Sequence, residues 1–204
     1  MIGATLFTWL QGAGFYRQAH QQAVEALPRG EGKTWLDVGT GPGLVARQAA
    51  ARGYETTGMD VDAHMVRAAK RLARWQHSAA RFCQGGLDEL AQWQADVVSA
   101  ASLLAVLDDK PAGIAALWGS VRPAGYLLVI EPTGAMNPDN AQRLIAADCL
   151  PKKRLHGLKM WAMARQGRAV DMASLAPAEA TECRQLELLE GLLGGWIFRK
   201  APAY

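Results

Sequence analysis

The stretch Leu36-Asp37-Val38-Gly39-Thr40-Gly41-Pro42-Gly43-Leu44-Val45 decides the fold. The apolar residues before Gly39 are typical of a short buried strand, and the residues from Leu44 onward have helical spacing. Three glycines at alternate positions form the turn between them, and glycine allows a ligand to approach the backbone closely. The stretch therefore predicts a strand, a ligand-binding loop and a helix.

Strands and helices alternate along the chain on both sides of this loop. The predicted strands are residues 33–38, 54–59, 81–84, 95–100 and 126–130, and the predicted helices are residues 8–27, 44–52, 62–74 and 109–121. This alternation indicates an α/β domain with a mainly parallel sheet. Ligands bind such a sheet at the carboxyl ends of the strands, near the point where the strand order reverses.

The end of the chain has a different pattern. Residues 133–181 contain helical segments and the basic run Lys152-Lys153-Arg154, for which a solvated surface is the simplest interpretation. Two short strands are predicted around Gly194-Gly195, a pair that suits a hairpin turn. An antiparallel edge on a mostly parallel sheet is a common arrangement.

Composition limits the class of protein. The 204 residues fit one domain, half of them are hydrophobic, and no apolar run approaches the roughly 20 residues that cross a bilayer. A formal net charge of +3 does not by itself indicate a nucleic-acid partner. The first ten residues lack the basic residues and cleavage site of a signal peptide, and Ile2 excludes an N-myristoyl glycine.

The three cysteines predict neither a disulfide framework nor a zinc site. Cys83, Cys149 and Cys183 are far apart, and the chain has no Cys-x-x-Cys pair. We therefore expect no bound metal and, with no export signal, a reducing cytoplasmic location.

Two carboxylates indicate the kind of ligand. Asp60 follows the second predicted strand at the distance where an acid grips ribose hydroxyls. The loop departs from the dinucleotide fingerprint, which needs glycine or alanine where Leu44 stands. Asp37, just before the turn, is a poor neighbour for a pyrophosphate and a good one for an ammonium or sulfonium. A cationic adenosine cofactor is therefore favoured over NAD.

The chain resembles the class I S-adenosylmethionine (SAM)-dependent methyltransferases, in particular the small-molecule group called methyltransferase domain 11 or 25. The resemblance covers roughly residues 35–132, and four blocks carry it in the family's order: residues 36–43, 59–65, 95–99 and 121–132. It implies a Rossmann-like three-layer sandwich whose seven-stranded, mostly parallel sheet ends in an antiparallel hairpin. Within a single domain, it also implies an N-terminal helical lid (1–30), a SAM-binding core (31–132), a variable acceptor or lid region (133–184) and the C-terminal hairpin (185–204).

The resemblance also implies roles for individual residues. Asp37 and the glycine loop would hold the methionine part, Asp60 the ribose hydroxyls, and Val61 would pack on the adenine. Gly86 stands where the family has an acid beside the adenine amino group, which Asp88 or Glu89 would have to supply. The full set of implied cofactor residues is Asp37, Gly39, Thr40, Gly41, Gly43, Asp60, Val61, Gly86, Leu87, Ser99 and Ala100, with Ser99 and Ala100 bordering the methyl group.

The catalytic group is less clear from the sequence. Many relatives place a polar residue just after the fourth strand, but residues 102–107 contain no titratable side chain. The remaining candidates for a base are Glu131, His156, and Tyr16 or His20 on the first helix, although a solvated helix residue is the simpler interpretation of His20 and of His64. The aromatic residues Trp9, Phe15 and Tyr16 are either a lid over the cofactor or ordinary packing, and Trp161 is a second tryptophan that could border the acceptor.

These observations predict methyl transfer from SAM, leaving S-adenosylhomocysteine, to a small-molecule acceptor. In-line displacement would then depend mainly on proximity and desolvation. No membrane partner is expected, and a nucleic-acid partner is disfavoured. A SAM-binding protein without turnover, an RNA methyltransferase, an NAD-type oxidoreductase and a cysteine-based arsenic methyltransferase remain as alternatives.

Overall fold

Seven strands form one sheet in the computed structural model, which describes residues 8–203. The strands are β1 Thr34–Val38, β2 Glu55–Asp60, β3 Arg81–Gln84, β4 Ala95–Ala101, β5 Val121–Pro132, β6 Ala180–Leu188 and β7 Leu193–Lys200. Their order across the sheet is β3-β2-β1-β4-β5-β7-β6. The pairs among β1 to β5 are parallel, whereas β7 is antiparallel to both β5 and β6. The predicted fold class is confirmed.

Helices lie between the strands and cover the sheet. They are α1 Gly14–Glu25, α2 Leu44–Ala51, α3 Ala63–Trp75, α4 Lys110–Gly119, α5 Pro138–Ala146, α6 Gly157–Arg165 and α7 Met172–Leu175. Short 3-10 helices, Leu87–Gln92 and Leu104–Val106, follow β3 and β4. The strand order reverses between β1 and β4, so the crevice typical of open α/β sheets is expected where these two strands end.

The core has one layer on each face of the sheet. Successive side chains of β5 point to opposite faces, as strand geometry requires. Leu128 and Ile130 belong to the cluster that packs with α1, α2 and α6, and Leu127 and Val129 belong to the cluster that packs with α4. β5 is therefore buried on both sides, which explains its continuous apolar sequence.

Helix caps set two of the boundaries that the sequence predicts. Asp62 accepts a hydrogen bond from the His64 amide at the start of α3, and Asp109 accepts one from the Ala112 amide at the start of α4. The predicted first helix is interrupted, because residues 8–10 are helical, residues 11–13 form a turn, and α1 begins at Gly14 after the extended residue Ala13. Residues 1–7 lie outside the described part of the chain.

The C-terminal hairpin is present, but its predicted turn is wrong. Gly194 and Gly195 lie inside β7, and the chain turns over residues 189–192, where Leu189, Glu190 and Gly191 have positive φ angles. A Cβ atom at Gly194 would lie 2.2 Å from the Trp196 ring. These glycines make room for a side chain within the sheet, and β6 begins at Ala180, before the predicted boundary at 185.

Among residues 8–203, no helix is long and apolar enough to cross a membrane. The same residues contain no cluster of three or more His, Cys, Asp or Glu side chains that could hold a metal ion.

The glycine loop offers a test of packing. Gly41 and Gly43 both have positive φ angles, of 53° and 81°. A Cβ at Gly43 would lie 2.5 Å from the Phe82 ring, whereas the nearest atom to a Cβ at Gly41 is 3.8 Å away. We expect Gly43→Ala to lower the free energy of unfolding by about 1–3 kcal/mol more than Gly41→Ala, because overpacking adds to a backbone strain that both variants share. Urea unfolding measures the difference, and equal losses would contradict this account.

Candidate active site

A cavity of about 580 Å³ opens where β1 and β4 end. Its wall contains the glycine loop, the ends of β2 and β4, the turn after β3, and residues from α1 and α6. The lining residues used below are Gln11, Tyr16, His20, Asp37, Gly39, Thr40, Gly41, Asp60, Val61, Gly86, Leu87, Asp88, Ala101, Ser102, Leu103 and Arg165. This volume suits a small molecule or a cofactor with part of an acceptor.

Asp37 is a buried carboxylate in the cavity wall. Its two oxygens accept hydrogen bonds from the hydroxyls of Thr40, at 2.6 Å, and Ser99, at 2.7 Å. Within residues 8–203 it forms no ion pair with a lysine or arginine. Burial raises the pKa of Asp37 to about 6, and the two hydroxyls oppose that rise. The site therefore favours a positively charged ligand, which would stabilise the ionised carboxylate.

Asp60 joins the end of β2 to the glycine loop. One of its oxygens accepts a hydrogen bond from the Gly41 amide at 2.8 Å, and the other accepts one from the Asp62 amide at 2.9 Å. A carboxylate oxygen can accept a second hydrogen bond, so both oxygens retain acceptor capacity toward the cavity. Burial raises the pKa of Asp60, and the two amides lower it.

The turn after β3 closes the opposite end of the cavity. A Cβ at Gly86 would lie 3.0 Å from Val61, so a larger residue would narrow the gap between them. The Glu89 carboxylate accepts a hydrogen bond from the Gly86 amide, at 3.3 Å, and does not line the cavity. Of the two acids expected near the adenine, only Asp88 lines it.

Comparison with known proteins finds similarity to methyltransferases. Residues 36–127 match a family model described as a methyltransferase domain. The chain is 29% identical over 117 residues to a malonyl-[acyl-carrier protein] O-methyltransferase of Pectobacterium atrosepticum, a match covering 56% of this chain and 45% of that protein. It is 31% identical over 101 residues to a ubiquinone biosynthesis O-methyltransferase of Alkalilimnicola ehrlichii, covering 48% of this chain and 41% of that protein.

A solved structure agrees over most of the chain. An O-methyltransferase family protein from Burkholderia thailandensis has a TM-score of 0.66 and 19% identity, and the match covers 92% of this chain and 57% of that one. Over residues 36–127 the chain resembles methyltransferases, and its fold is that of the class I SAM-dependent enzymes. It matches less than half of the length of both curated relatives.

Polar side chains from four parts of the chain also line the cavity. His20 on α1, Ser102 after β4 and Gln11 before α1 each have a fully buried polar atom without a hydrogen-bond partner among the described residues. Arg165, at the end of α6, adds a positive charge, and its guanidinium interacts electrostatically with Tyr16 and Glu131. Unpartnered buried polar atoms are costly, so their presence in the wall of a cavity points to a polar ligand there.

His20 has a defined tautomer. Its Nδ1 lies 2.8 Å from the carbonyl oxygen of Tyr16, and because a carbonyl only accepts, Nδ1 carries the proton. The side chain is 1% exposed, and burial lowers its pKa to about 4. The ring is therefore neutral at pH 7, and its Nε2 carries a lone pair. The expectation that His20 is a solvated residue is wrong, because α1 turns this position toward the core.

Glu131 is fully buried and does not line the cavity. Its carboxylate accepts hydrogen bonds from the amides of Leu104, at 2.7 Å, and Ala105, at 3.3 Å, which fixes the turn after β4. Burial raises its pKa to about 8, while the amides and Arg165 lower it. Tyr16 lines the cavity, and burial raises its pKa well above the usual range.

His156 is exposed and lies against Trp9, with ring centroids 5.2 Å apart, away from the cavity. Trp161 packs behind the wall against Phe15 and Tyr16, and Trp9 also lies outside the cavity. Of the base candidates named from the sequence, Tyr16 and His20 therefore border the cavity, and Glu131 and His156 do not.

Three of the predicted cofactor residues do not border the cavity. Gly43 packs against Phe82 at the start of α2. Ser99 holds Asp37 and accepts a hydrogen bond from the Trp35 indole, and Ala100 is buried in the core. Ala101, Ser102 and Leu103 form the wall in their place, because β4 extends one residue further than its sequence pattern indicates.

Sequence reasoning missed Gln11, Ser102 and Arg165 as cavity residues and treated Arg165 as part of a solvated basic surface. Helical spacing is the sequence signal that could have placed His20 and Arg165 on buried helix faces. His20 follows Tyr16 by four residues on the apolar face of α1, and Arg165 follows Trp161 by four residues on the buried face of α6.

The raised pKa of Asp37 predicts a stability effect. The folded protein holds this proton more tightly than the unfolded chain, so the contribution to stability is present below about pH 4 and is lost as the pH rises through about 6. Between pH 4 and 7, we expect the free energy of unfolding of the unliganded wild type to fall by on the order of 3 kcal/mol more than that of Asp37→Asn. Chemical denaturation at several pH values measures this, and parallel curves for the two proteins would contradict it.

Proposed function

We propose that this protein transfers a methyl group from SAM to an oxygen atom of a small-molecule acceptor held in the cavity. The observation that carries the proposal is the buried Asp37 carboxylate, which lines the cavity without a cationic partner among the described residues. SAM is a cation that also carries ribose hydroxyls, and Asp60 lies on the same wall. The family match supports the same cofactor.

The cavity residues fit this cofactor. Asp37 and the backbone of Gly39 and Gly41 would hold the methionine part, with Thr40 fixing the orientation of Asp37. Asp60 would accept hydrogen bonds from the ribose hydroxyls. The adenine would lie between Val61 and the backbone of Gly86 and Leu87. When bound, SAM supplies a methyl group already activated by a sulfonium, so the protein needs to align the acceptor and exclude water.

His20 is the residue we assign to the acceptor proton. Its neutral ring presents the Nε2 lone pair, and the Tyr16 carbonyl and the stacked Tyr16 ring, 4.1 Å away between centroids, hold the imidazole in place. An acceptor O–H would donate to Nε2, and the proton would pass to Nε2 as the oxygen forms its bond to the methyl group.

The net charge of the cavity supports this assignment. His20 would become an imidazolium when it takes the proton of the acceptor hydroxyl, while bound SAM would lose the positive charge of its sulfonium with the methyl group. The buried site would therefore carry the same net charge before and after the transfer. A proton transfer to a buried histidine would otherwise carry the full desolvation cost of a new charge.

Arg165 favours an acceptor that is anionic or electron-rich near its hydroxyl group. Arg165 lines the same cavity as His20 and Ser102. The two curated relatives are named as O-methyltransferases of malonyl-[acyl-carrier protein] and of ubiquinone biosynthesis, and both names are compatible with an oxygen acceptor.

Cofactor binding is tested by calorimetric titration with S-adenosylhomocysteine. We expect binding by the wild type, and for Asp60→Asn an affinity lower by about 30- to 1000-fold, because charge-assisted hydrogen bonds contribute about 2–4 kcal/mol here. Asp62→Asn is the matched control, since its side chain caps α3 and does not border the cavity. Absence of binding by the wild type at high micromolar concentration would exclude the proposed function.

The role of His20 is tested with His20→Phe, which keeps an aromatic ring on Tyr16 and removes the acceptor nitrogen. With radiolabelled SAM and 3,4-dihydroxybenzoate as a probe acceptor, we expect kcat to fall by about 10²- to 10⁴-fold while S-adenosylhomocysteine affinity stays unchanged. An unchanged kcat would remove His20 from the reaction. A preference for carboxylate acceptors, which carry no proton to remove, would do the same.

A protein that binds SAM without turnover is the second candidate. Residues 101–107, which follow or end β4, contain no ionisable side chain. The position where many relatives carry a polar catalytic residue therefore has no ionisable group in this chain. Tight binding of S-adenosylhomocysteine, with no labelled methyl group passing to any component of a cell extract, would favour this candidate.

A further inference from the structure

A second depression, which we call the basic groove, lies beside the cavity between α3, the start of α1 and the loop before α6. Its volume is about 680 Å³. Six basic side chains line it: Arg17, Arg47, Arg67, Arg71, Lys153 and Arg154. The remaining lining residues include His64, Gln11 and Trp75.

The charge of the basic groove is uncompensated. No acidic residue lines it, and none of its six basic side chains takes part in the ion pairs of residues 8–203. Residues 1–7, Met-Ile-Gly-Ala-Thr-Leu-Phe, contain no Asp or Glu. Six cationic side chains exceed the formal net charge of +3 of the whole chain, so the rest of the chain is net negative. The positive charge is therefore concentrated in this groove.

Two arginines of the basic groove are fixed in place by neutral partners. Arg47 is buried and donates hydrogen bonds to the Gln76 side chain and the Pro42 carbonyl, while Arg154 donates to the Trp9 carbonyl and lies over the Trp9 ring. These contacts position the guanidinium groups without neutralising them. Burial and the nearby Arg17 lower the pKa of Arg47 to about 10, the Asp37 carboxylate of the cavity opposes this shift in part, and an anion bound in the groove would relieve it further.

One face of α3 combines charge with an exposed aromatic ring. Arg67, Arg71 and Trp75 are spaced by four residues, so they lie in a row along the helix. Trp75 is 75% exposed, an unusual position for a tryptophan. Arginine forks match phosphate oxygens, and an exposed indole offers a face on which a planar base can stack.

We propose that the basic groove binds a nucleoside diphosphate group, with the phosphates among the arginines and the base on Trp75. Its volume is that of a pocket for one small molecule, which favours such a group over a nucleic-acid strand. Gln11 lines both the groove and the cavity. Because the groove and the cavity are adjacent, the nucleoside diphosphate could be one part of a larger acceptor molecule whose reactive part enters the cavity. This last assignment rests on the proposed function.

The test is calorimetric titration of the full chain with ADP, inorganic pyrophosphate and adenosine. Saturating S-adenosylhomocysteine keeps the adenine of ADP out of the cavity, and its own binding is measured first, so failure of the proposed function is recorded separately. We expect ADP to bind more tightly than pyrophosphate and adenosine to bind least. The double variant Arg67→Gln/Arg71→Gln should weaken ADP binding at least tenfold, and Trp75→Leu should remove the advantage of ADP over pyrophosphate.

The matched control is Lys70→Gln/Arg74→Gln, which removes the same charge from the same helix on its other exposed side. We expect it to change ADP affinity less than twofold. If the two double variants weakened ADP binding equally, the binding would depend only on diffuse surface charge, and the proposal would be overturned. The absence of ADP binding at 5 mM, or tighter binding of a single-stranded RNA with a steep salt dependence, would also overturn it.

Discussion

The buried Asp37 carboxylate is the interaction on which the rest of the site depends. It lies one residue before the end of β1, accepts hydrogen bonds from the hydroxyls of Thr40 and Ser99, and so joins the glycine loop to β4. The Trp35 indole donates to the Ser99 hydroxyl on the far side, which extends the network into the core. A negative charge held this way in a low-dielectric interior is costly without a cation. The fold therefore favours a cationic ligand at the point where its strand order reverses.

Under the proposed function, the cavity has a cofactor end, with the negative side chains Asp37 and Asp60, and an acceptor end, to which we assign His20 and Arg165. His20 is neutral because burial opposes its protonation. Such an arrangement would bind a cation at one end and an electron-rich oxygen at the other, and a proton would replace the charge lost in the reaction without changing the total.

The sequence predicted the sheet and most of the cofactor end because both depend on local patterns. The glycine loop, the acid after β2 and the caps at Asp62 and Asp109 are determined by residues close in the chain. The acceptor end is different, because it is assembled from α1, the turn after β4 and α6. No local sequence pattern indicates that His20 and Arg165 line the same cavity. The hairpin turn was predicted at the wrong place because glycine also occurs within strands, where it leaves room for a neighbouring side chain.

The aromatic cluster that joins α1 and α6 behind the cavity wall affects how the preference for an acceptor could change. Trp161 on α6 packs against Phe15 and Tyr16 on α1, with ring centroids 6.3 Å and 4.9 Å apart. These two helices are far apart in the chain but share one aromatic cluster, so neither can shift without moving the other. Altering Tyr16 will also reposition Arg165, and energetic effects of substitutions in the two helices will not add. Under the proposed function, acceptor selectivity would therefore be a joint property of both helices, and a change of acceptor would require compensating substitutions in each.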